Sequence, residues 1–455
     1  MSRRRRKIHK SPVEIQPELP SGTVTIERLA YGGNGVGSLG GLVVFVPRTA
    51  PGDVVDVQLV SQRRHYAVGE VTALRHSSPW RVAAPCPLYE QCGGCHLQHL
   101  SYTRQLAAKT AQVQDCLIRI GKLTDVVVAP TLGSPQPFAY RNKVVYHYDR
   151  QSGTLGLIDR HNQRIVDVPR CLISDARADT VMAQIRALAT TQPVLRHALH
   201  QVQVQVGQRS AEVLVTVIVR EPVPVALHQP LWEAVRRHAT GLWLHVKTQD
   251  TPAVFHGTTT AIAGAEVIRE RVGPHWFRIE PQAFFQVNTV QMERLYQLVR
   301  DAAALRGTEV VLDLYSGGGT IALMLAPFCA QVYAVEVQRQ ATLLAMRQAT
   351  ALGVSNCHFR TGKVERILYR YLAQGLRPDL AVLDPPRAGC EMEALQALAA
   401  LRLPRLIYVS CSPPTLARDL QRLAALGYQT AGVQPLDMFP QTYHIECVAT
   451  LKRLA

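Results

Sequence analysis

A cysteine and two acidic residues stand where they could take part in covalent chemistry. Cys411 follows the apolar run 406–409, which predicts a strand, and Asp384 follows a second such run at 380–383. Because the carboxyl ends of parallel strands meet at one edge of a sheet, we expect both side chains at that edge. A thiol placed there is a candidate nucleophile rather than a small buried hydrophobe. Glu446 begins the last apolar run and is either a solvated carboxylate or a base.

A glycine-rich turn predicts a cofactor site at the same edge. The apolar run 310–314 leads through Tyr315 into the turn 316–320, after which a helix is predicted. The next predicted strand ends at Glu336, where a carboxylate can accept hydrogen bonds from both ribose hydroxyls. NAD uses similar geometry, but the glycine spacing is not G-x-G-x-x-G and no pyrophosphate-binding turn is evident. The pattern therefore favours S-adenosylmethionine (SAM).

Three clustered cysteines indicate a metal site. Cys86, Cys92 and Cys95 have the spacing C-x5-C-x2-C, with two glycines between the last two, and Cys171 is the candidate for a fourth ligand. An iron–sulfur cluster commonly takes four thiolates, one of them from a distance. Zinc also accepts four thiolates, although structural zinc sites more often use two C-x2-C pairs and only one is present. On spacing alone, a [4Fe–4S] cluster and zinc both stay open.

Taken together, the motifs resemble the RNA uracil-5 methyltransferase family over essentially the full length of the chain. The segments that carry the resemblance, in chain order, are ERLAYGGNGVG with VFVPRTAPGDVVDVQL, the cysteine spacing, Phe284-Phe285-Gln286-Val287-Asn288, DLYSGGGT, AVLDPPRAG, YVSCSPPTLARDL and HIECV. The first of these resembles a TRAM domain, a small RNA-binding barrel. Members with both the barrel and the cluster are similar to the 23S ribosomal RNA enzymes, whereas relatives that act on the tRNA T-loop are expected to lack both.

The resemblance implies a role for each matching residue. It implies that Cys411 adds to C6 of uracil and that Glu446 removes the C5 proton. It further implies that SAM is bound by Gln286, Tyr315, Glu336 and Asp384. The ligands that it implies for a [4Fe–4S] cluster are Cys86, Cys92, Cys95 and Cys171. The implied enzyme is an RNA (uracil-5-)-methyltransferase that acts on 23S rRNA, with a tRNA uridine as the alternative substrate. Three residues, Ser412, Pro414 and Lys363, depart from the family pattern, and the last leaves the adenine contact open.

Rival functions differ in the residues they need. A non-catalytic RNA-binding protein with this fold would have no use for Gln286, Asp384, Cys411 and Glu446, all of which are present. An amino-methyltransferase would place an aromatic residue where Arg387 stands, and its cysteine would be idle. A cytosine-5 enzyme also adds a thiolate at C6, so only its product distinguishes it.

The elements that must position these residues form an α/β protein of several domains. We expect a basic arm at 1–15, a TRAM-like β-barrel at 16–76, a central mixed α/β domain carrying the cluster segment at 77–285, and a Rossmann-like SAM methyltransferase domain at 286–455. Short strands separated by glycines and prolines predict the barrel. Alternating apolar strands and helices predict the last domain.

Composition points to a polyanionic partner. The chain has 455 residues, a formal net charge of +16 and ten cysteines. Excess basic charge is typical of proteins that bind nucleic acid, because each cation near a phosphate releases condensed counterions. The arm alone carries Arg3, Arg4, Arg5, Arg6, Lys7 and Lys10. No membrane span or secretory signal is evident, so we expect a cytoplasmic monomer with reduced cysteines that binds RNA and no membrane.

Overall fold

The computed structural model describes residues 19–249, 251 and 254–454. The chain divides into two compact units, Met1–Arg81 and Val82–Ala455. The predicted basic arm at 1–15 lies outside the described residues. Within the described part of the chain, no helix is both long and apolar enough to cross a membrane.

The first unit is a small six-stranded β-sheet. Its strands pair in the order β1-β5-β6-β4-β3-β2, and only β4 and β6 pair in parallel. Alternate residues of β5 point into one core with Val24, Val44 and Ala67, because successive side chains of a strand face opposite sides. The strands are β1 Ser21–Thr25, β2 Arg28–Leu29, β3 Gly35–Leu39, β4 Leu42–Val46, β5 Val54–Gln62 and β6 Tyr66–His76.

In the second unit, a seven-stranded mixed sheet follows the segment that carries Cys86, Cys92 and Cys95, here called the cysteine segment. The first helix, α1 Tyr102–Arg119, precedes this sheet, whose order is β13-β12-β11-β10-β7-β8-β9. Apolar side chains on one face pack against three helices. The strands are β7 Lys143–Tyr148, β8 Leu155–Ile158, β9 Ile165–Asp167, β10 Leu199–Val206, β11 Val213–Val219, β12 Gly241–Lys247 and β13 Gly257–Gly264, and the helices are α2 Ala176–Thr191, α3 Pro193–Ala198 and α4 His228–Val235.

The remainder of the second unit is a Rossmann-like sheet, entered through a hairpin formed by β14 Ile268–Val272 and β15 His275–Ile279. Its order is β18-β17-β16-β19-β20-β22-β21. The first five strands are parallel, and β22 pairs antiparallel with both β20 and β21. The strands are β16 Val310–Leu314, β17 Gln331–Glu336, β18 Cys357–Thr361, β19 Leu380–Leu383, β20 Arg405–Ser410, β21 Tyr428–Leu436 and β22 Glu446–Arg453.

Helices on both faces cover this sheet, as its nearly continuous apolar strands require. They are α5 Thr289–Ala303, α6 Thr320–Leu325, α7 Arg339–Ala351, α8 Val364–Ala373, α9 Met392–Ala400 and α10 Pro413–Ala425. The parallel strands β16, β19 and β20 end at Leu314, Leu383 and Ser410, directly before the glycine turn, Asp384 and Cys411. Glu446 reaches the same edge because β22 runs in the opposite direction and begins there.

Candidate active site

A cavity of about 330 Å³ opens at the carboxyl ends of β16, β19 and β20. Five of the predicted site residues line this cavity together, namely Gln286, Tyr315, Asp384, Cys411 and Glu446. Phe284, whose surface is 75% exposed, lies at its rim. The structure therefore brings the candidate nucleophile, the candidate base and the glycine turn to one space.

The backbone of the glycine turn is shaped by left-handed residues. Tyr315 has φ +64° and Gly319 has φ +76°. A Cβ on Gly319 would come within 2.8 Å of both the Ala345 Cβ and the Phe359 ring, so only glycine fits there. Glu336, the last residue of β17, accepts hydrogen bonds from the backbone N–H of Gly317 at 3.0 Å and of Gln338 at 2.7 Å. Its carboxylate thus stands beside the turn.

Asp384 and Glu446 are acidic groups held in protein surroundings that disfavour charge. Burial raises the pKa of Asp384 to about 7. Burial also raises the pKa of Glu446 well above its usual value, the nearby Asp384 raises it further, and Arg387 opposes the shift. The Glu446 carboxyl consequently keeps its proton to higher pH than an exposed glutamate does.

Sequence reasoning missed a third buried acid, Asp313. It is fully buried in β16, and its Oδ2 accepts a hydrogen bond of 2.9 Å from the N–H of Ala322 at the start of α6. None of the described residues donates to its Oδ1. Burial and the neighbouring Asp384 raise its pKa to about 8. An aspartate inside an otherwise apolar strand is the sequence signal that could have identified it.

The Cys411 thiol is half-buried and neutral at rest. Burial raises its pKa to about 11; Glu446 and Asp384 add to the shift, and Arg387 opposes it through its charge and a hydrogen bond. Arg387 itself is exposed at the mouth of the cavity. The positive charge of Arg387 therefore makes ionisation of the Cys411 thiol easier.

Hydrogen bonds to Asp419 fix the loop that carries Asp384 and Arg387. This role of Asp419 was not predicted from the sequence. The buried Asp419 carboxylate accepts hydrogen bonds from the Cys390 N–H at 2.8 Å and from the Tyr408 hydroxyl at 2.7 Å. Gly389 has φ +78°, and a Cβ there would lie 2.4 Å from the Asp419 Oδ2. The close approach of loop and carboxylate therefore requires glycine.

Of the three departures from the family pattern, two lie beside the nucleophile. Ser412 is the N-cap residue of α10, and Pro414 lies in the first turn of that helix. Lys363 is largely exposed, and its Nζ lies 3.9 Å from Glu365. It is not among the residues that line the 330 Å³ cavity.

The four cysteines meet at a second cavity, of about 470 Å³. Cys86, Cys92, Cys95 and Cys171 all line it, and none is in a disulfide. Burial and the proximity of the other three cysteines raise the pKa of Cys95 to about 12. Among the described residues, no group of three or more His, Cys, Asp or Glu side chains is arranged to hold a metal ion.

Comparison with known proteins assigns a family to this fold. A family model described as tRNA (Uracil-5-)-methyltransferase matches residues 101–454, and a TRAM domain model matches residues 22–72. An uncharacterised RNA methyltransferase of Halalkalibacterium halodurans is 39% identical over 441 aligned positions, 94% of this chain and 96% of that protein. Another, from Gloeobacter violaceus, is 37% identical and covers 97% of this chain and 99% of its own.

A solved structure matches nearly the whole chain. It is the Pyrococcus abyssi tRNA (uracil-54, C5)-methyltransferase in complex with S-adenosyl-L-homocysteine, with a TM-score of 0.76 and 26% identity. The match covers 94% of this chain and 100% of that one. The Rossmann-like sheet with its glycine turn defines the class as a SAM-dependent methyltransferase. More narrowly, the chain belongs to the tRNA (uracil-5-)-methyltransferase family and is an RNA-methylating enzyme with a TRAM domain.

Proposed function

We propose that this enzyme methylates C5 of a uridine in 23S rRNA through a covalent adduct between Cys411 and C6 of the base. The observation that carries the proposal is that Cys411, Glu446 and the glycine turn line one cavity of about 330 Å³. A thiol, a carboxyl of raised pKa and a SAM-binding turn are the three parts that this reaction needs.

The Cys411 sulfur supplies the activation that uracil lacks. C5 of uracil is a weak nucleophile, and SAM supplies an electrophilic methyl group when bound. Bond formation between the Cys411 sulfur and C6 pushes an electron pair through the ring, so that C5 attacks the methyl carbon and breaks its bond to sulfur. The Cys411 thiol first releases its proton to water, and the neighbouring Arg387 cation favours the thiolate that results.

The Glu446 carboxylate completes the reaction. After methyl transfer, C5 carries both the methyl group and its original hydrogen. Glu446 takes that proton, the C5–H electron pair restores the C5–C6 double bond, and the C6–S bond breaks to release Cys411. We assign Gln286 and Asp384 to contacts with the target base and cofactor, and Tyr315 and Glu336 to cofactor contacts. The uracil ring must leave its stack to reach this cavity.

Two RNA classes compete as substrate. The assignment to 23S rRNA rests on the resemblance of the barrel and cysteine segment, taken together, to the ribosomal RNA enzymes. A tRNA uridine is the second candidate, because the Pyrococcus abyssi relative is named as a tRNA uracil-54 enzyme. That match covers 94% of this chain, too much to omit the barrel. The prediction that relatives acting on tRNA lack the barrel is therefore wrong for this enzyme, and a barrel alone does not separate the two classes.

Methylation of separate RNA pools decides between these candidates. Ribosomal RNA and tRNA that lack 5-methyluridine are incubated with the purified protein and SAM, digested to nucleosides and analysed by mass spectrometry. We expect 5-methyluridine in the ribosomal pool alone. New 5-methyluridine only in the tRNA pool would move the assignment to tRNA, and 5-methylcytidine would make the enzyme a cytosine-5 methyltransferase.

We also propose that Cys86, Cys92, Cys95 and Cys171 hold a [4Fe–4S] cluster. The donor set fits, since four thiols line one cavity of about 470 Å³ together with cations that suit anionic ligands. Structural zinc sites more often use two C-x2-C pairs, and this set contains one such pair, Cys92 and Cys95. Such a cluster would tie the cysteine segment to the central sheet.

Metal analysis of protein purified without oxygen tests the cluster. We expect a brown protein with about four irons and four sulfides per chain. Cys92→Ser should lower the iron content, whereas Cys116→Ser, a buried cysteine on α1 away from the cavity, should not. A colourless protein that contains zinc would overturn the proposal.

A further inference from the structure

The strand that begins with Glu446 is preceded by an irregular segment, Asp437 to His444, here called the strap. It joins β21 to β22 and contains no helix or strand. Phe439 of the strap lines the 330 Å³ cavity beside Glu446. Because the strap has no backbone ladder of its own, its shape must be set by groups from elsewhere.

Lys109 of α1 holds the strap at three points. Its Nζ donates hydrogen bonds to the Asp437 Oδ1 at 2.5 Å, to the Phe439 carbonyl at 3.2 Å and to the His444 carbonyl at 2.9 Å. These acceptors include both ends of the strap. The three N–H groups of an ammonium are thereby all used, and Lys109 has no exposed surface.

The charge of Lys109 is balanced within the same group of residues. The side chains of Lys109 and Asp437 are both 0% exposed, and the Tyr102 hydroxyl donates to the other Asp437 oxygen at 2.8 Å. A buried ion pair contributes little net stability, because desolvation of both charges offsets their attraction. Its effect here is geometric, since a point charge with three donors fixes three acceptors at once.

Further contacts from α1 and the cysteine segment bind the middle of the strap. The Gln105 side-chain amide donates to the Gln441 Oε1 at 2.9 Å and accepts a hydrogen bond of 3.2 Å from the Gln441 backbone N–H. The Gln441 carbonyl accepts the N–H groups of His96 and Leu97, at 2.9 and 3.0 Å. These residues directly follow Cys95, so the cysteine segment reaches the strap through two backbone hydrogen bonds.

We propose that Lys109 is a positioning residue for the methyl-transfer reaction. By fixing the strap, it sets where Glu446 and Phe439 stand against the target base, an inference that rests on the function proposed above. To remove the proton, the Glu446 carboxylate must lie within about 3 Å of C5 of the uracil ring. A misplacement of about 1 Å costs roughly 100-fold in rate. The step that depends on Glu446 should therefore be the most sensitive to this lysine.

The test replaces both charges at once. Lys109→Met alone leaves the Asp437 carboxylate buried without its cation and is expected to unfold, whereas Lys109→Met combined with Asp437→Asn removes the pair together. Covalent RNA–protein adduct is followed on denaturing gels in single-turnover reactions with SAM. We expect the folded double variant to form adduct at nearly the wild-type rate and to resolve it about 10- to 100-fold more slowly. Its kcat should fall while KM stays within about twofold.

A matched variant separates positioning from stability. The matched variant is Leu117→Ala. Leu117 lies two turns further along α1, is buried, and makes no hydrogen bond to the strap through its side chain. This variant should lower the melting temperature without slowing adduct resolution per folded molecule. Equal rates of resolution in the double variant and the wild type would overturn the proposal. Normal adduct resolution by Glu446→Gln would instead contradict the role proposed for Glu446 and, with it, a positioning role of Lys109 through that residue.

Discussion

The Cys411 thiol is surrounded by more acidic than basic groups. Glu446 and Asp384 both raise its pKa, and Arg387 is the neighbour that lowers it. Because burial raises the pKa of both carboxyls, each keeps its proton to higher pH than an exposed carboxyl does, and a protonated carboxyl does not oppose a thiolate. The weakened negative charge beside Cys411 and the Arg387 cation therefore both favour addition to the base.

Separate substitutions should split the reaction into its two halves. Cys411→Ala removes the atom that attacks C6, so we expect no methylation and no adduct, with RNA affinity within about twofold of wild type. Glu446→Gln keeps the nucleophile but cannot accept the proton, so a methylated adduct should accumulate as a slowly migrating species on a denaturing gel. Methylation by Cys411→Ala, or normal turnover without adduct in Glu446→Gln, would contradict these roles.

The pH dependence of adduct resolution follows from the raised pKa of Glu446. A base must be deprotonated, and a raised pKa keeps the carboxyl protonated to higher pH than the usual value of about 4.3. The rate of resolution should thus rise with pH, with its midpoint well above that value, in single-turnover experiments. Asp384→Asn should lower the midpoint because Asp384 raises the pKa of Glu446. An unchanged midpoint in that variant would argue against the coupling.

At the scale of elements, the sequence predicted which residues meet at the carboxyl edge of the sheet. It did not predict the contacts from helix α1 that support this edge. Apolar runs that end at Leu314, Leu383 and Val409 were enough to bring the turn, Asp384 and Cys411 together, because parallel strands share one carboxyl edge. Helix α1 carried no such signal. The buried face of α1 includes Gln105, Lys109 and Gln112. Hydrophobic periodicity assigns such polar residues to the solvent-exposed face of a helix.

Contacts between distant segments also explain the other differences. The strap receives Lys109 from more than 300 residues away, and Tyr408 and Asp419 fix a loop that belongs to another strand. In the barrel, the residues from 23 to 29 look like one strand in the sequence but are divided between β1 and β2. The break falls at Ile26, whose N–H and carbonyl bond to Asp53 and Gly52 in the turn before β5. Local propensity cannot foresee such pairings.

The Asp53 carboxylate should control the stability of the barrel. It is fully buried and accepts hydrogen bonds from the N–H groups of Ala50 at 2.6 Å and Ser78 at 2.9 Å and from Arg81 at 2.7 Å. Although burial raises its pKa, these partners outweigh burial and lower it below the usual value. Its stabilising effect is therefore present above about pH 4 and is lost as the pH falls through the lowered value.

Asp53→Asn should destabilise the barrel by about 2 kcal/mol, because it removes a charged acceptor from several donors at once. Hydrogen exchange followed by mass spectrometry can measure this in the full chain, as lost protection in peptides from β4 to β6. Thr23→Val removes an exposed hydrogen bond to Asp56 and should change protection little. Equal protection in Asp53→Asn and the wild type would show that the turn is held by other contacts.

At the scale of the whole molecule, charge distribution is the feature that bears on RNA binding. The net charge is +16, and six of the 50 lysines and arginines fall within the first ten residues. A charge block of this kind can add affinity for RNA without contributing to the cavity where the chemistry is proposed. Binding and turnover should therefore respond differently to its removal.

Replacing residues 2–10 by a glycine–serine segment of equal length should weaken RNA binding and make it less dependent on salt. If all six cations contact phosphates of single-stranded RNA, the slope of log K against log salt becomes shallower by up to about 4. Fluorescence anisotropy at several salt concentrations measures the slope. The kcat at saturating RNA should stay within about twofold, because the residues proposed for catalysis and cofactor binding all lie outside the replaced segment. A variant that moves six cations to the distal end of the chain keeps the net charge and serves as the control. An unchanged slope in the glycine–serine variant would show that the RNA is held by cations elsewhere in the chain.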